Sequence, residues 1–142
     1  MYPHQPWKSY RQIATQTAPP GQLVLMLFDG VLRRLQRALE GFAQTDPAEA
    51  NMAIHNNLLR AQEIIRELDQ ALDMEQGGQI ANTLRNLYRY FDHLLSRSNT
   101  RKEQTGIEEV VAHVTILRDA WAEMLLHPQK TTPELESSLV AA

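Results

Sequence analysis

Cysteine is absent from the 142-residue chain. Its absence excludes a disulfide framework, a zinc site built from thiolates and a cysteine nucleophile. Long apolar runs are missing as well, since the longest, Leu23–Phe28, falls far short of the roughly 20 residues that cross a bilayer. The N-terminus lacks the basic start and apolar centre of a secretory signal. We therefore expect a soluble protein of a reducing cytosol, without membrane insertion.

A pronounced net charge is also missing. The formal net charge is -3 and the sequence pI is about 5.9, whereas nucleic-acid-binding domains usually carry a pronounced basic surface. Arg33, Arg34 and Arg37 form a short basic run, but such a run on a helix is typical of a solvated face. We expect no nucleic-acid partner.

Catalytic and metal-binding motifs are missing too. A di-iron bundle needs Glu-x-x-His pairs, and the chain contains none. Glu109 with His113 and Glu123 with His127 are spaced by four residues, which is typical of surface pairs on a helix. Gly77 belongs to no phosphate-binding motif, and no nucleophile elbow is present. The sequence thus indicates no enzyme, no cofactor and no metal.

The chain does contain apolar residues that recur at alternating steps of three and four, the pattern of amphipathic helices. Four stripes are predicted to form the core: Val24, Phe28, Val31, Leu35, Ala38 and Phe42; Ile54, Leu58, Ala61, Ile65, Leu68 and Leu72; Ile80, Leu84, Leu87, Phe91 and Leu94; and Ile107, Val110, Val114, Leu117, Trp121 and Met124.

Helix boundaries have their own signals. Pro20 suits the first turn of the first helix, and Asp46 is predicted to cap the second, with Glu49 at the capping-box position. Thr105 with Glu108 is predicted to cap the fourth. The polar segment Asn99–Glu103 separates the third helix from the fourth.

Short connections between long helices require antiparallel neighbours. The second and third helices are joined at Gly77 and Gly78, which we interpret as a helix end followed by a turn. We predict an all-α, antiparallel up-down four-helix bundle forming a single domain, residues 1–142. Within it, residues 1–18 form a flexible N-terminal arm, 19–127 the bundle, and 128–142 a mobile tail.

The helices carry more apolar surface than a bundle core needs. Leu25, Leu32 and Leu39 form a seam beside the first stripe, which we interpret as widening the core. On the second helix, Met52 and Leu59 point roughly 150° away from the core stripe at 100° per residue, and Ile64 lies on its shoulder. On the third, Tyr88 and Leu95 belong to a seam about 80° from the stripe. Contiguous exposed apolar surface typically marks an interaction site, here a groove for an amphipathic helix.

Several segments resemble a known family in the same order along the chain. They are Tyr10 followed by TAPPGQLVLMLFDGVLRRLQRAL, then NNLLRAQEIIRELDQALD, GGQIANTLRNLYRYF and finally LRDAW at Leu117–Trp121. The chain is similar to the flagellin-export chaperones of the FliS family over about Tyr10 to Trp121. Phe28 departs from the family's common tyrosine and keeps the ring. We interpret Gly30 as a close-packing position between helices.

The resemblance implies a cytosolic bundle without catalytic activity. Proteins of this family bind the C-terminal segment of newly made flagellin, which is disordered in the monomer and helical in the filament. Binding prevents premature assembly, and the chaperone then delivers its client for flagellar type III secretion. The resemblance leaves further partners open, among them flagellar regulators and components of the export gate. The resemblance also implies that the N-terminal arm of the protein lies over part of the groove and moves when the client binds.

These expectations define the candidate site. Tyr10 and Ile13 are predicted to anchor the arm near a flagellin-binding surface on the second and third helices, and the candidates on that surface are Met52, Leu59, Ile64, Tyr88 and Leu95. Two alternatives stay open. One is a structural or regulatory bundle that self-associates through the same surface without a flagellin client, and the other is a metal-binding bundle.

Overall fold

The computed structural model of the protein describes residues 20–127. This range contains four α-helices and no β-strand: α1 Pro20–Gly41, α2 Pro47–Gln70, α3 Gly78–Arg101 and α4 Thr105–Leu126. Tyr10, Ile13 and the predicted arm and tail lie outside the described residues. The division of the chain into arm, bundle and tail therefore stays a prediction.

Contacts between the helices show that neighbours run in opposite directions. Between α2 and α3, Gln62 bonds to Asp92 while the later Asp69 bonds to the earlier Arg85. Helix α1 packs against α2, and α4 packs against both α3 and α1, which closes a ring of four helices. The predicted antiparallel up-down bundle is confirmed.

Most of the predicted core positions are buried. Phe28, Val31, Leu35 and Ala38 of α1 fill the interior, and the interior positions of α2 and α4 also follow their predicted stripes: Ile54, Leu58, Ala61, Ile65 and Leu68; Ile107, Val110, Val114 and Leu117. Leu32 and Leu39 pack on the edge of this core, as expected for a seam that widens it.

Helix α3 is rotated relative to the predicted stripe. Its buried positions are Ala81, Leu84, Tyr88, Phe91, Leu95 and Ser98, whereas Ile80, Leu87 and Leu94 are only partly buried. The two registers share Leu84 and Phe91, so apolar periodicity fits both of them. Polar contacts with α2 decide between them, because Gln62 Nε2 donates to Asp92 Oδ1 at 3.0 Å and to Ser96 Oγ at 2.9 Å.

One predicted helix cap is present and one is not. The Asp46 side chain accepts the Glu49 N–H at 3.0 Å, which confirms the predicted cap of α2. The predicted Thr105 cap is wrong, because Thr105 is itself the first residue of α4 and Gln104 precedes it without a side-chain cap. Helix α3 runs on to Arg101 and ends at Lys102 in the left-handed region, with φ 52°, so few residues remain between the helices.

Gly77 and Gly78 do not mark the end of α2, contrary to the prediction from the sequence. Helix α2 ends at Gln70, and Asp73 then accepts the N–H groups of Glu75 and Gln76 in a turn. Gly77 and Gly78 follow that turn, with Gly78 opening α3 at φ 51°. A positive φ is accessible to glycine without the steric cost that a Cβ atom brings. The pair therefore marks the start of α3 and not the end of α2.

Two other glycines let helices approach closely. A Cβ atom on Gly30 would lie 3.3 Å from Ile64 Cδ1, which confirms the predicted packing role of Gly30. A Cβ on Gly106 would collide with Ser98 Oγ and lie 3.1 Å from the Leu94 carbonyl oxygen. The crossing of α3 and α4 consequently depends on the missing side chain at Gly106.

The substitution Gly106→Ala tests this crossing. Alanine is the better helix former, but overpacking costs about 1–3 kcal/mol, so we expect a lower free energy of unfolding in urea. The double variant Ser98→Ala with Gly106→Ala removes one of the colliding atoms and should recover part of the loss. A Gly106→Ala protein as stable as the wild type would contradict the close approach.

Candidate functional site

Two large apolar side chains of α2 are exposed to solvent. Met52 is 64% exposed and Leu59 is 42% exposed. They are seven residues apart, which places them on one face about 10 Å from each other along the helix. The outward direction predicted for this pair agrees with the structure.

The other three candidates on the bundle are buried. Ile64 is 7% exposed, Tyr88 4% and Leu95 0%, so the expectation that they belong to an exposed surface is wrong. The physical reason is that each helix packs against two neighbours, and a seam about 80° from the stripe still points inward. Ile64 faces α1 beside Gly30. A direct binding role for Ile64 or Leu95 would require the bundle to open.

Tyr88 differs from these two because it borders two clefts. The first is an apolar pocket of about 60 Å³ at the end of the bundle where α1 begins and α4 ends. All four helices or their adjoining residues contribute to its walls, which are Val24, Phe28, Leu68, Ala71, Leu72, Leu84, Tyr88, Leu117 and Trp121. Trp121 Nε1 donates to the Gly21 carbonyl oxygen at 2.8 Å and so holds the indole against the first turn of α1.

The second cleft lies between α2 and α3 and has a volume of about 180 Å³. Its walls combine apolar and charged groups: Ile65, Arg66, Asp69, Tyr88, Arg89 and Asp92. Because Tyr88 lines both clefts, they adjoin at its ring. Leu59 precedes Ile65 by six residues on α2, roughly 9 Å along the helix. Arg66, which lines the second cleft, follows Leu59 by seven residues, so the exposed apolar pair and this cleft lie along one face of α2. Leu68 and Leu72 of the first cleft belong to the core stripe on the other side of the helix.

Periodicity missed the two clefts for a specific reason. Val24, Leu72 and Trp121 are the end members of their stripes, and a stripe does not show that its last turn is left partly uncovered. The charged walls of the second cleft are spread over both helices. No single segment of the sequence brings them together, so only the rotation of α3 against α2 reveals them.

Comparison with known proteins gives this geometry a context. The family profile described as Flagellar protein FliS matches residues 3–128. A flagellar secretion chaperone FliS of Salmonella typhimurium is 36% identical over 129 residues, which cover 87% of this chain and 93% of that protein. The chain belongs to the FliS family. The flagellar secretion chaperone FliS of Escherichia coli is 35% identical over 133 residues, which cover 90% of this chain and 95% of that protein. The flagellar secretion chaperone FliS of Bacillus subtilis is 30% identical over 125 residues, which cover 88% of this chain and 90% of that protein.

Membership of the FliS family confirms that the protein is a flagellar secretion chaperone and not an enzyme. Among residues 20–127, no cluster of three or more potential metal-ligating side chains occurs. Glu109 Oε2 and His113 Nε2 lie 3.7 Å apart, and the His113 ring packs on Phe91 with 5.7 Å between centroids. Within the same range, no helix is long and apolar enough to span a membrane.

Electrostatics in this FliS-family site centre on Tyr88. Burial raises the pKa of the Tyr88 hydroxyl, and the nearby Asp69 carboxylate raises it further. The phenol consequently stays neutral at physiological pH and can act as a hydrogen-bond donor. Asp69 itself accepts a hydrogen bond from Arg85 Nε at 3.0 Å, which holds its carboxylate at the edge of the cleft.

The substitution Trp121→Phe tests the anchoring of the bundle-end pocket. Phenylalanine keeps an aromatic ring but removes the hydrogen bond to Gly21, so the free energy of unfolding in urea should fall by about 1 kcal/mol. Tyr90→Phe is the matched control, because it removes a donor from an exposed hydrogen bond to Glu109 and should cost less. Equal stability of the Trp121→Phe and wild-type proteins would contradict an anchoring role for the indole.

Proposed function

We propose that this chain binds the C-terminal segment of flagellin in the bacterial cytosol and keeps it unassembled until export. The supporting observation is the exposed apolar pair Met52 and Leu59 on α2, followed on the same face by the cleft between α2 and α3. The relatives from Salmonella, Escherichia coli and Bacillus are named flagellar secretion chaperones. A secretion chaperone needs a surface for its client, and this side of the bundle offers one.

The dimensions of this side suit a helical client. Met52 and Asp69 are 17 residues apart on α2, a span of about 25 Å. An amphipathic helix of the same length can lay its apolar face along α2, with Met52 and Leu59 at one end and the cleft between α2 and α3 at the other. A helix docked in a groove is recognised through side chains at every third or fourth position.

Disorder in the free client accounts for the need for a chaperone. A segment that folds only on binding spends part of its interaction energy on ordering its backbone. Its apolar face is exposed until that happens, and exposed apolar faces associate with one another. Covering the face with Met52, Leu59 and the cleft walls removes it from water and delays assembly.

The predicted N-terminal arm is long enough to reach the apolar pocket at the end of the bundle. Ile13 precedes Pro20 by seven residues, which span at most about 25 Å. The apolar pocket beside Val24 and Trp121 is next to the start of α1, so it lies within this reach. We propose that Tyr10 and Ile13 anchor the arm at this end of the site and leave when flagellin binds.

Leu59→Asp is the decisive variant for this function. A charge placed in an apolar interface loses its hydration without a partner, so the affinity for a peptide of the last 50 or so residues of the organism's flagellin should fall at least about tenfold, equivalent to about 1.4 kcal/mol. Calorimetry measures the affinity, and circular dichroism verifies the fold. Met52→Asp should have the same direction of effect.

Ile116→Asp provides the matched control. Ile116 is 40% exposed, close to the 42% of Leu59, but it lies on α4 and lines neither cleft. This variant should bind flagellin like the wild type. Equal affinities for the Leu59→Asp and Ile116→Asp proteins would remove the α2 face from the site. Light scattering that shows a stable dimer indifferent to flagellin would instead favour self-association through this surface.

Tyr88→Asp is unsuitable for the same experiment. Its ring is 4% exposed and packs on Phe91 with 6.4 Å between centroids. An aspartate there would place an unpaired charge in the core and destabilise the fold. Loss of binding by that variant would not distinguish a missing contact from an unfolded protein.

A further inference from the structure

The charges around the α2–α3 cleft do not balance. Asp69 is paired with Arg85, with 3.0 Å between Oδ1 and Nε. Asp92 accepts a hydrogen bond from Gln62 and lies 3.7 Å from Arg66 Nη2. Both carboxylates of the cleft therefore have partners within the protein, and their negative charge is compensated.

Arg89 is the remaining charged residue of the cleft. Its side chain lines the cleft and is exposed, and no residue within the range 20–127 forms an ion pair or hydrogen bond with its guanidinium. A guanidinium offers donors in a planar fork that matches a carboxylate. The cleft consequently presents one uncompensated positive charge to whatever enters it.

Tyr88 adds a second donor on the same wall. Its hydroxyl has no hydrogen-bond partner among the described residues, and its side chain lines the cleft together with Asp69 and Arg89. Among the described residues, only Glu63 Oε2 is both buried and without a hydrogen-bond partner, so solvent reaches the Tyr88 hydroxyl. A ligand that supplies an acceptor atom here would take the place of water at this donor.

We propose that the cleft between α2 and α3 receives a carboxylate side chain of the client segment, held by the Arg89 guanidinium and the Tyr88 hydroxyl. This inference rests on the proposed binding of flagellin and adds to it a requirement for an aspartate or glutamate in the client helix. The apolar positions of the client would then provide affinity, while the carboxylate would fix its register along α2 and α3.

A carboxylate fits this cleft better than a cationic side chain does. Asp69 and Asp92 already have their own donors, so a lysine or arginine of the client would have to displace Arg85, Gln62 or Arg66. It would also approach the free charge of Arg89, and like charges in a partly desolvated interface repel one another. The acidic side chain meets two unoccupied donors instead.

Arg89→Glu tests the proposal in the full-length protein with the flagellin C-terminal peptide as the probe. Calorimetry should show an affinity at least tenfold weaker than that of the wild type, because the substitution opposes two negative charges. Tyr88→Phe should weaken binding by a smaller factor and leave the fold intact. Arg97→Glu is the control for net charge, since Arg97 is an exposed arginine of the same helix that does not line the cleft.

A charge exchange identifies the client residue. Each aspartate and glutamate of the peptide is replaced in turn by lysine, and one replacement should bind the wild type weakly and the Arg89→Glu variant well. Equal affinities of the Arg89→Glu and Arg97→Glu proteins, together with weak binding by Leu59→Asp, would overturn the carboxylate proposal and leave the proposed function standing. Absence of peptide binding by the wild type would overturn both.

Discussion

The contact of Gln62 with α3 determines much of what this bundle can do. Gln62 is 4% exposed, and its Nε2 donates hydrogen bonds to Asp92 and Ser96 of α3. A buried amide without partners would be costly, so α3 is held in the one rotation that supplies them. That rotation turns Tyr88 and Leu95 inward and places Asp92 beside Arg66. Both the core and the charged cleft follow from it.

The resulting site combines a rigid frame with an incompletely covered surface. Packing of the four helices leaves Met52 and Leu59 in solvent and a pocket open at the bundle end. Exposed apolar surface contributes little to the stability of the free protein. In the proposed function it receives a client segment that becomes ordered on binding.

Prediction from the sequence succeeded where local rules decide the outcome. Asp46 caps α2 because its side chain and the Glu49 N–H are neighbours in the chain, and the stripes of α1, α2 and α4 follow helical periodicity. It failed where two local solutions are nearly equivalent. Thr105 has a capping-box partner, yet the left-handed end of α3 at Lys102 shifts the start of α4. Apolar spacing also fits two rotations of α3, and Tyr88 was consequently assigned to the surface.

The sequence by itself determined the four helices, their antiparallel order and the membership of the FliS family, because periodicity, short connections and ordered motifs are properties of the chain. Tertiary structure decided which apolar residues are available to a partner. Met52 and Leu59 stay exposed while Ile64 and Leu95 become core, since burial depends on the neighbouring helix and its rotation. It also decided that Tyr88 and Arg89 share a cleft, because long-range packing brings α2 alongside them.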